Sequence, residues 1–338
     1  ASLSGSNTGD YTVDRFALIV GSSYNLDTTS TQVSGDPNET GQSKALKIEC
    51  DTVQSPSSTH NGGVFTKLEG QDLQRLLYGT ASAKNSVLTF WAKAGGNGAG
   101  QYTCQIKYLK SGPTYYVQYH TFTLTTSWKE FTINLNANGT ATSQPIINDN
   151  TAGMEIYWWL VAGSSDLVSA SSTWTAGDSS YKAVTGQTNF MADTSNEFYL
   201  TGVQLELGTV ATPFEHRSLA DELQRCHRYY QRLAHEPATP VYNGRYSLAT
   251  GVWYQAGEMI LMMPYAPKRA VPSITSTSAD FMRCYYASGS QLSNEQNPFD
   301  NISIDSCRMV CTMAANGSAG HGAYCQISGS SEYIEINA

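Results

Sequence analysis

The side chains best suited to chemistry in this chain are aromatic rings carried on strand-like runs. In "MEIYWWLV" (154–161), a core-facing set of Met154, Ile156, Trp158 and Leu160 leaves Tyr157 and Trp159 on the opposite face beside Glu155, because successive strand side chains point to opposite sides. Trp174 stands in a polar segment, and Tyr115, Tyr116 and Tyr119 crowd another run. Planar rings stack on the apolar faces of sugars at low ordering cost, which makes Tyr157, Trp159, Trp174 and Tyr116 the candidate glycan-binding residues. The same rings equally suit a sandwich core or a subunit interface.

Catalytic and metal chemistries find less support. There is no GxSxG elbow, no HExxH and no P-loop; "GGNGAGQ" (95–101) lacks the Gly-Lys-Ser/Thr ending and reads as a hairpin between strands. "GDSS" (177–180) offers serines, but none of His60, His120, His216, His227, His235 or His321 is assignable as a base. A glycosidase needs two carboxylates about 5–9 Å apart, and any β-protein with 28 acidic residues supplies such pairs by accident. No catalytic residue is therefore expected. Cys307, Cys311 and Cys325 are the sharpest metal candidates, yet "CRMVC" lacks CxxC spacing and no second pair completes four ligands, so no metal is expected there. Seven cysteines scattered through apolar runs fit free, buried thiols.

Composition sets wider bounds. Charged residues are 14% of the 338, against about 25% in an average soluble protein. A net charge of −8 and a pI near 5.2 exclude nucleic acid as a partner, since phosphate binding requires clustered Lys and Arg. No apolar run approaches the roughly 18 residues needed to cross a bilayer, so no membrane insertion is expected. "ASLSGSNTGD" lacks the parts of a signal peptide.

The elements that must position the rings are short strands. "DRFALIV" (14–20), "KALKIECDTV" (44–53), "SVLTFWAKA" (86–94), "YTCQIKYL" (102–109), "TYYVQYHTFTL" (114–124), "KEFTINL" (129–135), "MEIYWWLV" and "EFYLTGVQLEL" (197–207) are rich in β-branched or aromatic residues and bounded by turn formers. Eight strands without long helices between them predict a β-sandwich over 1–211, with a bulge at Gly202. Two polar segments, 21–43 and 162–187, read as long loops, and "QDLQRLL" (71–77) as a helical turn or two. Six further strand candidates beyond 238 predict a smaller β-sandwich over 238–338.

Between them, 212–237 reads as a linking helix: Ser218 as N-cap, Asp221 and Glu222 in the first turn, Pro237 as the stop. Leu219, Leu223, Cys226, Tyr230 and Leu233 recur at alternating intervals of four and three, predicting one apolar seam for packing on the same chain or around an oligomer axis. The fold class is thus all-β with one short helix.

"DYTVDRFALI", "FYLTGVQLELGTVATPFEHRSLADELQRCHRYYQRL" and "PYAPKRAVPSI" together resemble tailed-bacteriophage virion proteins of the tail-fibre or structural kind. "LTFWAKA", "SWKEFTINL" and "FYLTGVQLELG" look, in order, like the jelly-roll carbohydrate-binding modules. The resemblance implies a non-enzymatic virion subunit on the particle exterior, assembled in the host cytoplasm as a homotrimer beside other virion proteins and contacting host-surface polysaccharide. Its alternatives are a carbohydrate-binding module of a secreted protein and a polysaccharide-degrading tail spike. Calcium, carried by many such jelly rolls, enters only through Asp10, Asp14 and Glu206, which lack the Asp/Asn spacing of an EF-hand.

Overall fold

A computed structural model describes residues 2–5, 12, 15–21, 24–109, 115–138, 145–177, 181–234, 247–255, 257–278, 281–286, 289–292, 298–312, 319–327 and 333–338. They form two compact units, Ala1–His216 and Arg217–Ala338.

The first unit is a jelly-roll sandwich of two antiparallel sheets. One runs in the order β1 (Ser2–Gly5), β3 (Thr28–Ser34), β4 (Lys44–Cys50), β14 (Glu197–Leu207), β6 (Ser86–Gly95) and β9 (Lys129–Leu135). The other runs β12 (Ser171–Ala176), β8 (Tyr115–Leu124), β7 (Gly100–Leu109), β10 (Ala152–Ala162), β5 (Asn61–Glu69) and β2 (Phe16–Gly21). Two short strands, β11 (Leu167–Val168) and β13 (Ala183–Val184), pair in parallel.

Strict alternation builds the core between the sheets. β9 buries Phe131, Ile133 and Leu135 and exposes Glu130, Thr132 and Asn134, as a strand with one wet face does. Phe90 of β6 meets the rings of Phe131, Phe122 and Trp158, the last two from the opposite sheet; such ring pairs are worth about 0.5–1.5 kcal/mol each beyond their area. The register of β14 against β6 shifts between Thr201 and Gln204. Gly202 sits at that bulge with φ +59°, a conformation L side chains rarely adopt.

Several strands depart from the sequence reading, among them β12 inside the supposed loop 162–187. Residues 28–34, inside the supposed polar loop, form β3, whose inward Thr28 and Ser30 are buried hydroxyls rather than apolar side chains. β5 opens on Asn61-Gly62-Gly63, which reads as a turn. Gly63 is required there, since a Cβ would lie 2.3 Å from the Trp158 carbonyl oxygen. The run at 71–77 forms a 3₁₀ helix over Gly70–Leu76.

The second unit is a smaller β-sandwich. Its larger sheet runs β20 (Gly289–Leu292), β19 (Met282–Tyr286), β23 (Gly322–Ile327), β16 (Ser247–Gln255), β17 (Glu258–Pro264), β22 (Ser306–Thr312) and β21 (Phe299–Asp300). The smaller runs β15 (Tyr230–Ala234), β24 (Tyr333–Asn337) and β18 (Ser273–Ser276). Cys284, Cys307, Cys311 and Cys325 are fully buried and unbridged in its core with Trp253 and Leu261. Burial pushes the Cys307 thiol up to about 12, which keeps it protonated and inert.

The helix is shorter than its periodicity predicts. It spans Leu219–His227, with the Ser218 hydroxyl accepting the Asp221 amide at 3.1 Å as the N-cap reading requires. It ends at Arg228, and the chain turns into β15, where Tyr230 pairs with Asn337 and Leu233 with Ile334. Pro237 lies outside the described residues. Tyr230 and Leu233 therefore obey a two-residue strand period, so the five residues do not form one helical face. Leu233 is buried among Ile334 and Ile336, whereas Leu219 (83%), Leu223 (51%) and Tyr230 (41%) are exposed and Cys226 is partly buried. A ladder against β24 has overridden local helix preference.

Candidate functional site

The outer face of the sheet containing β10 presents its side chains in rows across the strands. One row sets Lys67, Glu155 and Lys107 opposite one another on β5, β10 and β7. The next sets Ala17, Phe65, Tyr157, Gln105 and Tyr119 in line. A third runs Ile19, Gly63, Trp159 and Thr103.

The aromatic row is a stack. Phe65 lies against Tyr157 at 5.4 Å and 14°, and Tyr157 against Trp159 at 5.3 Å and 5°. Cross-strand neighbours on one face fix this arrangement. The Trp159 N–H donates to the Gln105 side-chain oxygen at 3.0 Å, which sets the orientation of the indole.

The charged row is compensated. Glu155 lies 3.1 Å from Lys107 and 3.5 Å from Lys67, and accepts from the Tyr157 hydroxyl at 2.6 Å. Burial alone would raise its carboxyl, but Lys107, the Tyr157 hydroxyl and Lys67 together hold it below the usual carboxylate range. The Tyr157 hydroxyl is pushed up, by burial first and by the charge on Glu155 second. A carboxylate neutralised this way is poorly placed for general acid or nucleophile work.

Residues 163–168 and 181–187 fold back over this face. Ala183 packs with Tyr157 and Trp159, and the Gln187 amide donates to the Trp159 carbonyl at 2.7 Å. Thr103 ties them down twice, its hydroxyl donating to Gln187 at 2.8 Å and accepting the Val184 amide at 2.9 Å. Tyr119 and Gln105 both donate to the Tyr181 carbonyl, at 3.3 and 3.4 Å. Farther along, Asn61 donates to Asp166 at 2.8 Å; burial raises the Asp166 carboxyl, and that bond and Lys182 oppose the rise. Between the segment and the sheet remains a cleft of about 230 Å³, floored by Tyr157 and Trp159 and rimmed by Tyr115, Tyr181, Lys107 and Lys182.

The structure thus divides the four predicted sugar-binding residues. Tyr157 and Trp159 are on the outer face as read, but only 7% and 2% exposed, because the polar segment taken for an open loop covers them. Trp174 and Tyr116 point the other way, into the end of the sandwich. Tyr116 stacks on Tyr108 at 6.0 Å, and Trp174 meets Tyr108 at 6.1 Å while donating to the Asn136 carbonyl at 2.6 Å. These two are packing residues, removed from the cleft. Gln105, Lys107, Tyr181 and Lys182 escaped the sequence reading. The alternation of "YTCQIKYL" could have placed Gln105 and Lys107 outward, whereas nothing local marks Tyr181 or Lys182.

A second cleft, of about 300 Å³, lies beside Asp72, Arg75, Leu205 and Glu206. Both oxygens of Glu206 accept from Thr212, at 2.7 Å from its amide and 2.6 Å from its hydroxyl. Asp10 and Asp14 lie outside the described residues, among which no cluster of three or more metal-ligating side chains occurs.

No protein-family model matches the chain, and neither does any curated protein. Solved structures similar to it include the CBM22-1–GH10 modules of a Clostridium thermocellum xylanase complexed with xylohexaose, at 12% identity and a TM-score of 0.31 over 61% of this chain and 28% of that one. A family 11 carbohydrate-binding module of a Clostridium thermocellum cellulase is 13% identical, with a TM-score of 0.31 over 63% of this chain and 98% of that one. The enzymatically active domain of tailspike protein 4 of bacteriophage CBA120 is 10% identical, with a TM-score of 0.32 over 60% of this chain and 21% of that one. At these scores neither ligand nor activity passes from them to this chain.

Proposed function

We propose that the first unit is a non-catalytic polysaccharide-binding module, and that the chain serves as an exterior subunit of a tailed-phage particle. The observation that carries the first part is the cleft between Tyr115, Tyr181, Gln105 and Asn61, backed by Tyr157 and Trp159. It joins ring surface to side-chain amides and hydroxyls, the mixture a sugar's apolar face and hydroxyl rim require. At about 230 Å³ it is smaller than the roughly 300–1,000 Å³ of drug-sized sites, a scale suited to one or two sugar rings of a longer chain.

The virion reading rests on the "LELGTVATPFEHRSL" stretch and its flanking blocks, and carries with it the homotrimer. Light scattering at micromolar concentration checks the assembly: a trimer mass supports it, and a single-chain mass removes it. For the cleft, the measurement is titration against soluble polysaccharides with Tyr181→Ala as the rim variant. Binding weakened by the substitution at an unchanged melting temperature supports the module; absence of binding to every polysaccharide removes it.

A further inference from the structure

The sign of charge at the cleft opposes that of the molecule. The chain carries 20 basic and 28 acidic side chains, a net of −8. Around the cleft the balance among the described residues reverses: Lys67, Lys107 and Lys182 stand against Glu155 and Asp166, three cations to two anions, a local net of +1. The order of these groups matters more than their number. Among the described residues, Lys107 and Lys182 line the cleft itself, and no carboxylate does.

Both carboxylates are engaged from behind the lining. Glu155 is only 7% exposed and is surrounded by Lys67, Lys107 and the Tyr157 hydroxyl; Asp166, also 7% exposed, is bonded to Asn61. Lys107 lies over the Tyr115 ring at 4.4 Å, so its ammonium is held at the aromatic rim. An ammonium has three donors, and the one Lys107 directs at Glu155 leaves others for a ligand at the cleft. A neutral sugar gains little from two lysines, whereas a ring carboxylate gains charge-assisted hydrogen bonds, roughly twice as strong as neutral ones.

We infer that the cleft takes an acidic polysaccharide, one whose sugar rings bear carboxylates, with a sugar ring against the exposed Tyr181 and a carboxylate between Lys107 and Lys182. This rests on the polysaccharide-binding reading and adds its chemical class. Since a surface of net −8 repels polyanions in general, binding to one must come from a local site, with a reach of about 8–10 Å at moderate salt.

The test is titration of the full chain with polygalacturonate and alginate, with their carboxyl-reduced products, and with neutral xylan and β-glucan. Expected is binding to an acidic polymer that weakens at least about tenfold on carboxyl reduction, falls with added salt, and drops similarly in Lys182→Gln and Lys107→Gln. Should Lys107→Gln unfold, carboxyl reduction and salt on the unaltered chain decide alone. Equal affinity for an acidic polymer and its reduced product, or for neutral polymers only, overturns the acidic class while the binding module stands. Acidic binding untouched by the Lys182 substitution overturns the site. No binding to any of the polymers overturns both readings.

Discussion

Trp158 and Trp159 are chain neighbours on one strand and almost equally inaccessible, at 0% and 2%, yet different things bury them. Trp158 faces the opposing sheet, between Phe16 at 5.9 Å and Phe90 at 5.6 Å, and its N–H has no hydrogen-bond partner among the described residues. Trp159 faces outward under residues 163–168 and 181–187, and its N–H is bonded to Gln105. An unmet buried donor costs about 1–3 kcal/mol; the inner face accepts that for ring volume, while the outer face fixes a ring's orientation. Burial of equal degree therefore has a packing ring on one side of the sheet and, on the other, a ring of the candidate site.

The strongest way to break this contrast is to delete each ring. Trp158→Ala is expected to cost about 3–5 kcal/mol in denaturant unfolding of the first unit. Trp159→Ala should cost at most about 3 kcal/mol, because the covering segment can settle into the space, and should abolish polysaccharide binding while the fold persists. Equal losses would mean that the segment is as unyielding as a sheet, and the distinction would fall.

Acid sharpens the contrast next. His120 is directed inward from β8, and burial holds its imidazole down at about 4. Between the unfolded value of about 6.5 and 4, the unfolded chain takes up a proton that the fold refuses, so stability falls as pH drops through that window. Outward-facing Glu155 has a lowered folded value. Its contribution is complete above the unfolded value of about 4.3 and is lost as pH falls through the folded one. His120→Gln should flatten the stability profile between pH 6.5 and 4, and Glu155→Gln only below about pH 4. Interchanged windows would show that the two faces have been assigned the wrong way round.

The smallest effect belongs to the rim. Tyr181 is 39% exposed, so Tyr181→Ala should shift stability by no more than about 0.5 kcal/mol while weakening ligand binding measurably by calorimetry.

Much of the first unit was legible because a period of two is unambiguous where one face is wet. β9 and β14 match the sequence reading at both ends, and β6 differs by one residue. Where polar or small residues face inward the signal fails, as Thr28 and Ser30 do in β3 and the glycines in β5. The helix misled for a different reason: Tyr230 and Leu233 continue the helical spacing, yet on β15 residues three apart fall on opposite faces, one exposed and one buried. Half of the candidate site was readable from β10 alone. The rest depends on a segment whose course is set by Thr103, Gln105 and Asn61 on distant strands, and no local pattern encodes such long-range bonds.

The near-parallel rings of Tyr157 and Trp159, 5.3 Å apart and 5° from coplanar, are also a pair of chromophores locked in close register. Their electronic transitions couple, giving the cleft a near-ultraviolet circular dichroism signal that depends on the angle between two rings. The site can thus be watched optically without a label, and its geometry read apart from the melting of the fold around it.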